Sequence, residues 1–235
     1  MAIAPRSRPV LSLQGVTFSE RHRSATPTFL DLELARSEAV LVEVADGADT
    51  SSLIDLCLGL ADPLDGEVTF LGEAWRRLAP RERLGRRRRV GMVGSVEVWP
   101  AHISIAEAIL LPRLYHTNQP RAEVMADATA LARHFGMPGL PAERLETTPV
   151  RTLVRAACVR GFLGTPELVV IEGETLDDSA ELAVPMAQAI AVAQDRGGAV
   201  LWITEDLTAA AARFVQADRL FRLGDHGLTA VRRPR

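Results

Sequence analysis

The chain has 235 residues, a formal net charge of −3 and an apolar fraction of 47%, which together are typical of a globular protein with a substantial core. All 27 basic residues are arginine, since the sequence contains no lysine. The composition therefore excludes Schiff-base chemistry, a pyridoxal-phosphate anchor and any phosphate site that depends on a lysine.

The N-terminal part of the chain predicts short strands separated by turns, with one helix among them. Apolar and polar residues alternate over residues 10–18, which predicts a half-buried strand. The β-branched run at residues 39–45 predicts a buried strand that ends in an Asp-Gly turn. A serine start and apolar spacing predict a helix over residues 51–60. Further strands are predicted over residues 67–71 and 89–94.

The middle of the chain is predicted to be almost entirely helical, and strands and helices alternate after it. The predicted helices of the middle are residues 104–115, 121–135 and 151–163. The alternating part contains predicted strands over residues 167–172, 199–204 and 219–223, the last strand of the chain, and predicted helices over residues 178–196 and 207–215.

Strands that alternate with helices imply a largely parallel α/β sheet. We expect a single domain over residues 1–235, in which residues 1–94 and 165–235 form the core and residues from about 95 to 164 form an inserted helical subdomain. The order of elements shows neither an internal repeat nor a long linker.

The sequence predicts neither a secretory leader nor a membrane span. The N-terminus carries arginines and prolines without an apolar stretch, and no uncharged run approaches the roughly 20 residues that span a bilayer. Cys57 and Cys158 lie in apolar runs, which is typical of small core residues rather than of a disulfide or metal pair. We therefore expect a cytoplasmic protein that contacts a membrane only through a partner.

Three segments carry a resemblance to a known family. LADPLDGEVTFLG (residues 60–72) follows the first predicted helix, RAACVR (residues 155–160) lies within a predicted helix, and GTPELVVI (residues 164–171) leads into a predicted strand. In this order they resemble the nucleotide-binding subunit of ABC transporters, with a likeness that covers residues 10–228. LPRLYHTN (residues 111–118) is similar to the helical subdomain of the Mla/Mce-type lipid-transport ATPases.

The resemblance implies a P-loop NTPase-like ABC ATPase fold, which is an α/β fold with a mostly parallel sheet, an antiparallel N-terminal β portion and an inserted helical subdomain. It also implies a Walker A loop that binds ATP. In such a loop, glycines let backbone N–H groups surround the phosphates, a lysine neutralises the β/γ charge, and a serine or threonine holds Mg²⁺.

The matching segment, residues 44–52, departs from the family where it would meet phosphate charge. Thr50 stands at the lysine position, and Asp49 stands at the last glycine. A carboxylate about 5 Å from a phosphate costs about 3 kcal/mol per like-charge pair at an effective dielectric of about 20, whereas a helix N-terminus offsets only about 0.3–1 kcal/mol. The other positions compared are Gly47, Ser51 and Ser52, which match the family, and Val44, which replaces its first glycine.

The positions that carry catalysis in the family are replaced as well. Glu172 stands at the metal-side aspartate of the Walker B strand, and Gly173 follows it where the family has its general-base glutamate. Glu205 stands at the switch histidine, and Ser95 stands at the Q-loop glutamine. Glu174 lies one residue beyond the base position, where a turn points its side chain elsewhere.

The segment that matches the family's signature motif has neither its serine nor its glycines; it consists of Thr148, Pro149, Val150, Arg151 and Thr152. With every motif replaced, we expect no catalytic residue, no ATP or Mg²⁺ cofactor, and a non-hydrolysing structural or docking component of a membrane transporter, of lipids by the Mla/Mce likeness. Two alternatives stay open. One is a divergent ATPase that binds and slowly hydrolyses ATP with Ser51 and Glu172 on Mg²⁺, and the other is a soluble regulatory protein derived from the family.

The resemblance also implies the partners. They are an integral-membrane permease and a dimer partner, which is either a second copy of the chain or another ABC-type subunit, so the protein is expected to be peripheral at the inner membrane. Nucleic acid is not expected as a partner. The run from Arg86 to Arg89 predicts a solvated face, with lipid headgroups or nucleic acid as alternatives. Trp99 and Tyr115 are assigned equally to the permease-facing surface and to the subdomain core.

Overall fold

The structure is a computed structural model, and it describes residues 8–18, 28–45, 50–94, 99–173, 180–207, 217–224 and 227–232. Within these ranges the strands are β1 (Leu11–Phe18), β2 (Thr28–Leu34), β3 (Ala39–Glu43), β4 (Asp65–Phe70), β5 (Glu73–Ala74), β6 (Val90–Val93), β7 (Leu168–Glu172), β8 (Ala199–Thr204), β9 (Arg219–Gly224) and β10 (Gly227–Val231). The α-helices are α1 (Ser51–Cys57), α2 (Pro80–Arg87), α3 (Ile105–His116), α4 (Arg121–His134), α5 (Val150–Phe162) and α6 (Ala183–Asp195).

An antiparallel sheet with the strand order β2-β1-β4-β5 forms the N-terminal part of the fold. Its central strand β1 buries Leu11 and Leu13 before a bulge and Val16 after it, so the bulge moves the buried face from odd to even positions. Gly15 lies in this bulge with a φ of 56°. A Cβ on Gly66 would lie 2.3 Å from the Gly15 carbonyl oxygen, so glycine is required at Gly66.

A six-stranded sheet with the order β10-β9-β3-β8-β7-β6 forms the centre of the molecule. The strands from β9 to β6 pair in parallel, and β10 pairs antiparallel with β9. β8 is buried over its whole length, which is expected of a parallel strand that is covered on both faces. This arrangement brings the carboxyl ends of β3, β7 and β8 to one edge of the sheet.

Two apolar layers cover the faces of the central sheet. One layer contains Trp75 and packs α1 and the antiparallel sheet, while the other contains Trp202 and packs α3 to α6. Successive residues of β7 join different layers, since Val169 and Ile171 belong to the helical layer and Val170 belongs to the other. The apolar run of β7 therefore has a partner on each side.

The helices between β6 and β7 begin with clear start signals. The Ser104 hydroxyl accepts a hydrogen bond from the Glu107 backbone N–H at 3.2 Å, and the Glu107 carboxylate accepts one from the Ser104 N–H at 3.0 Å. This reciprocal pair is a capping box at the start of α3. Pro120 and Pro149 stand at the N-cap positions of α4 and α5.

The structure confirms the predicted fold class and most predicted elements, and it corrects several predictions. Residues 219–223 are not the last strand, because β10 follows β9 as its antiparallel neighbour. The predicted helix over residues 178–196 begins as α6 at Ala183, after a 3₁₀ turn over Ala180–Leu182. The predicted helix over residues 207–215 lies outside the described residues beyond Leu207.

Candidate functional site at the carboxyl edge of the central sheet

The candidate site is built where β3, β7 and β8 end side by side. The Val44 N–H, just after β3, donates to the Thr204 carbonyl oxygen at the end of β8 over 2.9 Å. β7 ends at Glu172, whose register partner on β8 is Ile203. In open α/β sheets, ligands bind outside the carboxyl ends of the strands, so this edge is where a nucleotide is expected.

A direct hydrogen bond joins the lysine position of the Walker A segment to the acid position of the Walker B strand. The Thr50 hydroxyl donates to Glu172 Oε1 at 2.9 Å, and Thr50 is buried with 7% of its surface exposed. Thr50 is also the N-cap residue of α1, but its side chain does not cap that helix. The hydroxyl is directed to the carboxylate instead. The matching Ser51 and Ser52 form the first turn of α1.

Gly173 lies too close to the end of β8 to carry a side chain in this arrangement. A Cβ built on Gly173 would lie 2.7 Å from the Thr204 Cβ and 2.9 Å from the Ile203 carbonyl oxygen. Thr204 is itself buried, and its hydroxyl accepts a hydrogen bond from the Asp206 N–H at 3.2 Å. Glu205, at the switch-histidine position, lies between these two residues and is partly exposed.

The signature-matching segment forms the start of α5. Thr148 is buried and donates its hydroxyl hydrogen to the Arg144 carbonyl oxygen at 2.7 Å. Pro149 is the N-cap, and Val150 follows it with 65% of its surface exposed. Arg151 is exposed as well, so the segment presents an arginine and an apolar branched side chain.

Several predicted site positions lie outside the described residues. They are Gly47, Asp49, Ser95 and Glu174. The structure therefore brings together Thr50, Glu172, Gly173 and Thr204, and it places the segment from Thr148 to Thr152 on a separate element.

The predicted solvated face from Arg86 to Arg89 is corrected, because three of its four arginines are used inside the fold. Arg86 pairs with Glu73 at 2.5 Å, and Arg89 pairs with Glu167. Arg87 donates to the carbonyl oxygens of residues 58 and 59, which follow α1. Burial and the nearby Arg83 lower the pKa of Arg87 below its ordinary value. Arg88 remains exposed, so the run ties α2 to its neighbours more than it forms a charged surface.

Trp99 lies in the core, as one of its two predicted assignments has it, whereas Tyr115 lies at the surface and its contact with a permease stays a prediction. Trp99 is buried, and the Arg160 guanidinium carbon lies 4.3 Å from its ring centroid. Burial lowers the pKa of Arg160. Tyr115 is 69% exposed, and Leu111, one turn earlier on α3, is 51% exposed. No local pattern in the sequence indicates the pairing of Trp99 with Arg160, because the two residues are far apart along the chain.

Three further features of the described residues concern thiol chemistry, metal binding and membrane insertion. Cys57 and Cys158 are buried free thiols, as predicted, and burial raises the pKa of each to about 12. The described residues contain no group of three or more His, Cys, Asp or Glu side chains suited to hold a metal ion. None of the described helices is long and apolar enough to cross a bilayer.

No protein-family model matches the chain, but it is similar to several proteins named as ATP-binding proteins. The nickel import ATP-binding protein NikE of Pseudomonas putida is 28% identical over 184 residues, which cover 76% of this chain and 67% of the relative. The lipoprotein-releasing system ATP-binding protein LolD of Roseobacter denitrificans is 27% identical over 232 residues, which cover 96% of this chain and 100% of the relative. The uncharacterized ABC transporter ATP-binding protein YbbA of Escherichia coli is 24% identical, with 86% and 87% covered.

Solved structures share the fold at low identity. The dimeric ATP-binding cassette MJ0796, in a post-hydrolysis state with ADP and phosphate bound, superposes with a TM-score of 0.79 at 17% identity, covering 93% of this chain and 96% of that chain. A bacterial Atm1-family ABC exporter with ATP bound gives a TM-score of 0.73 at 20% identity, covering 96% of this chain and 39% of that chain.

The chain has the ABC ATPase fold, which belongs to the P-loop NTPase class. By sequence, the chain is similar to proteins named as ATP-binding components of nickel import, of lipoprotein release and of an ABC transporter. The finer likeness to Mla/Mce-type ATPases and the division into a core and a helical subdomain stay predictions.

Proposed function

We propose that this chain is a non-hydrolysing ABC-type subunit with a structural or docking role in a membrane transporter. The observation that carries the proposal is the hydrogen bond from the buried Thr50 hydroxyl to Glu172 Oε1 at 2.9 Å. In an active site of this family, a lysine and a metal-side acid at these positions would serve phosphate and Mg²⁺. In this chain the residues at these two positions, Thr50 and Glu172, form a hydrogen bond with each other.

The described residues do not fit Mg-ATP well. Thr50 supplies a neutral hydroxyl in place of an ammonium group, and the chain contains no lysine that would replace it. The Glu172 side chain lies beside that hydroxyl, so a triphosphate at this edge meets an acidic residue without the lysine that normally balances the phosphate charge. For this reason we derive no hydrolytic step.

The residue at the family's general-base position supports the proposal. Gly173 carries no proton acceptor, and its contact with Thr204 leaves no room for a Cβ. A base would therefore have to come from another position, and efficient general-base catalysis needs a group within hydrogen-bond reach of the attacking water.

The surface chemistry supports a permease partner. Leu111 and Tyr115 lie one turn apart on α3 and are both largely exposed, which gives the helix an apolar stripe. We place the protein on the cytoplasmic face of the inner membrane, bound to the permease without inserting into lipid. A lipid-type cargo is the finer form of the proposal; it is supported by the Mla/Mce likeness of residues 111–118 and by a relative named for lipoprotein release.

Calorimetric titration of the whole chain with Mg-ATP tests the proposal. We expect no heat of binding at micromolar nucleotide and no phosphate release. A dissociation constant in the low micromolar range would favour the second candidate, a divergent ATPase that uses Ser51 and Glu172 on Mg²⁺. This candidate is supported by the names of the relatives, which are ATP-binding proteins. Purification of the chain from membranes with a bound permease separates the docking role from a soluble regulatory role.

A further inference from the structure

A cleft of about 570 Å³ lies between the helices after β6 and the helix after β7. Its two long walls are α4 and α6, and its end is closed by the loop at Gly164 and Pro166, just before β7 begins. The volume is within the range of about 300–1,000 Å³ that small-molecule sites occupy. This cleft is separate from the candidate site, because Glu172 ends β7 about 13 Å further along the strand.

The floor of the cleft is apolar. Leu131 on α4, Phe162 at the end of α5 and Ala189, Val192 and Ala193 on α6 line it. Phe162 and the two alanines are buried, whereas Val192 is 46% exposed. An apolar group laid along this floor would cover Val192 and remove its surface from water, which favours binding.

Two arginines stand at the rim of the cleft without a carboxylate partner among the described residues. Arg113 lies across the loop at Gly164 and donates to Gln119 Oε1 at 2.7 Å, which uses one of its five N–H groups. Arg196, at the end of α6, is exposed and forms no ion pair within the described ranges. The lining also contains Asp127, so the charged side chains of the cleft carry a net charge of about +1.

The last titratable group of the cleft is already engaged. His134 Nε2 lies 2.8 Å from the Pro185 carbonyl oxygen, a contact that joins α4 to α6 at one end of the cleft. The cationic groups left for a ligand are therefore the two guanidiniums above the apolar floor; the lining also contains the carboxylate of Asp127 and the neutral polar side chains of Thr165 and Gln188. Arginine binds carboxylates and phosphates through paired N–H groups.

We propose that this cleft binds a small amphipathic anion, in which a carboxylate meets Arg113 and Arg196 while an apolar chain covers Leu131, Phe162 and Val192. The ligand class follows from the combination of a cationic rim with an apolar floor. Neither feature alone would require it. The site would act independently of the nucleotide edge, so its test does not depend on the proposed role in a transporter.

Ligand-observed NMR titration of the intact chain tests the chemistry with three probes. Octanoate carries both a negative charge and an apolar tail. Octanol carries the apolar tail alone, and inorganic phosphate carries negative charge alone. We expect saturable octanoate binding at millimolar concentration or below, octanol binding at least about tenfold weaker, and no saturation with phosphate. Absence of saturable octanoate binding, or equal binding of octanol or phosphate, would overturn the proposal.

Matched variants locate the binding. Arg196→Gln and Arg113→Gln should each weaken octanoate binding about tenfold, as expected when one charge-assisted hydrogen-bond pair is lost. Arg133→Gln is the control, since Arg133 is an exposed arginine of α4 outside the cleft lining, and it should leave binding unchanged. Arg196 is exposed, so its replacement keeps the fold intact even if Arg113→Gln disturbs it. Octanoate binding that is unaffected in Arg196→Gln would place the ligand elsewhere and refute the site.

Discussion

At the scale of single residues, the exchange of an ammonium group for a hydroxyl changes what the edge of the central sheet can bind. A lysine at Thr50 would place a positive charge beside Glu172 and a phosphate, whereas the threonine makes one neutral-to-charged hydrogen bond to Glu172. Such a bond contributes about 1.5–3 kcal/mol and holds α1 to the end of β7. The same two positions thus stabilise the fold where the family uses them for binding.

Replacement of Thr50 by valine measures that stabilising role. Thr50→Val keeps the shape of the side chain and removes the hydroxyl from Glu172, so we expect the free energy of unfolding to fall by about 1.5–3 kcal/mol. Urea denaturation followed by circular dichroism gives the value. Thr229→Val, at an exposed position of β10, is the control and should change stability by less than about 0.5 kcal/mol. Equal stability of the two variants would show that the bond contributes nothing.

Restoration of the family's base by Gly173→Glu is expected to fail. The new Cβ would lie 2.7 Å from the Thr204 Cβ, so the ends of β7 and β8 must separate, at a cost of about 1–3 kcal/mol. We therefore expect a lower melting temperature and phosphate release at background level. Gly85→Ala is the control, since a Cβ there meets nothing within 4 Å, and it should be neutral or stabilising by about 0.5–1 kcal/mol. Hydrolysis in Gly173→Glu would contradict the geometric argument.

At the scale of elements, the capping box of α3 makes the stability of the helix depend on pH. Hydrogen bonds from the Ser104 N–H and hydroxyl hold the pKa of Glu107 below its ordinary value. A carboxyl whose pKa is lower in the folded state adds stability above its unfolded-state pKa of about 4.5, and this stability is lost as the pH falls through the folded-state pKa.

Comparison with Glu107→Gln isolates this contribution. The native chain should be more stable than the variant at neutral pH, and the difference should shrink below about pH 4.5 as the native carboxyl becomes neutral. Urea denaturation at neutral and acidic pH gives both differences. Glu123→Gln, an exposed acid in the first turn of α4, is the matched control. A difference that stays constant between neutral and acid pH would show that the capping charge does not matter.

The elements that the sequence predicted well are those with a strong local signal. β8 runs from Ala199 to Thr204 as predicted, because an uninterrupted apolar run between glycines and a charged turn leaves no other interpretation. α2 was missed because it buries no residue and has no apolar period. β2 alternates, with Leu30, Leu32 and Leu34 buried, so its sequence does carry the pattern of a half-buried strand.

The site was predictable as a set of positions but not as a set of contacts. The resemblance placed Thr50 and Glu172 at matching positions, and the structure joins them. Nothing local in the sequence indicates that Gly173 abuts Thr204, since that contact depends on how β7 and β8 pair. The arginine run illustrates the same limit, because the partners of Arg86 and Arg89 lie elsewhere in the chain.

At the scale of the whole molecule, the ABC transporters that this chain resembles depend on two nucleotide-binding subunits. Each ATP lies between the Walker motifs of one subunit and the signature motif of the other. In this chain the signature position is the exposed start of α5, where Pro149 has no N–H and Val150 projects a branched side chain. Glycines at such positions allow close backbone approach, and these residues do not. Both composite sites of any dimer that includes this chain would therefore be incomplete.

Because of these incomplete sites, we expect that nucleotide does not change whether the chain is a monomer or a dimer. An intact ABC subunit closes on ATP because the phosphates bridge two complementary motifs, whereas Thr50 and Pro149 offer neither the cation nor the donors of such a bridge. We expect sedimentation velocity to give the same distribution with and without millimolar Mg-ATP. A second copy bound by shape alone would appear as a dimer in both conditions. A dimer that forms only with Mg-ATP would show that the divergent motifs still bind nucleotide, and it would refute the inference that Thr50 and Pro149 prevent a nucleotide bridge.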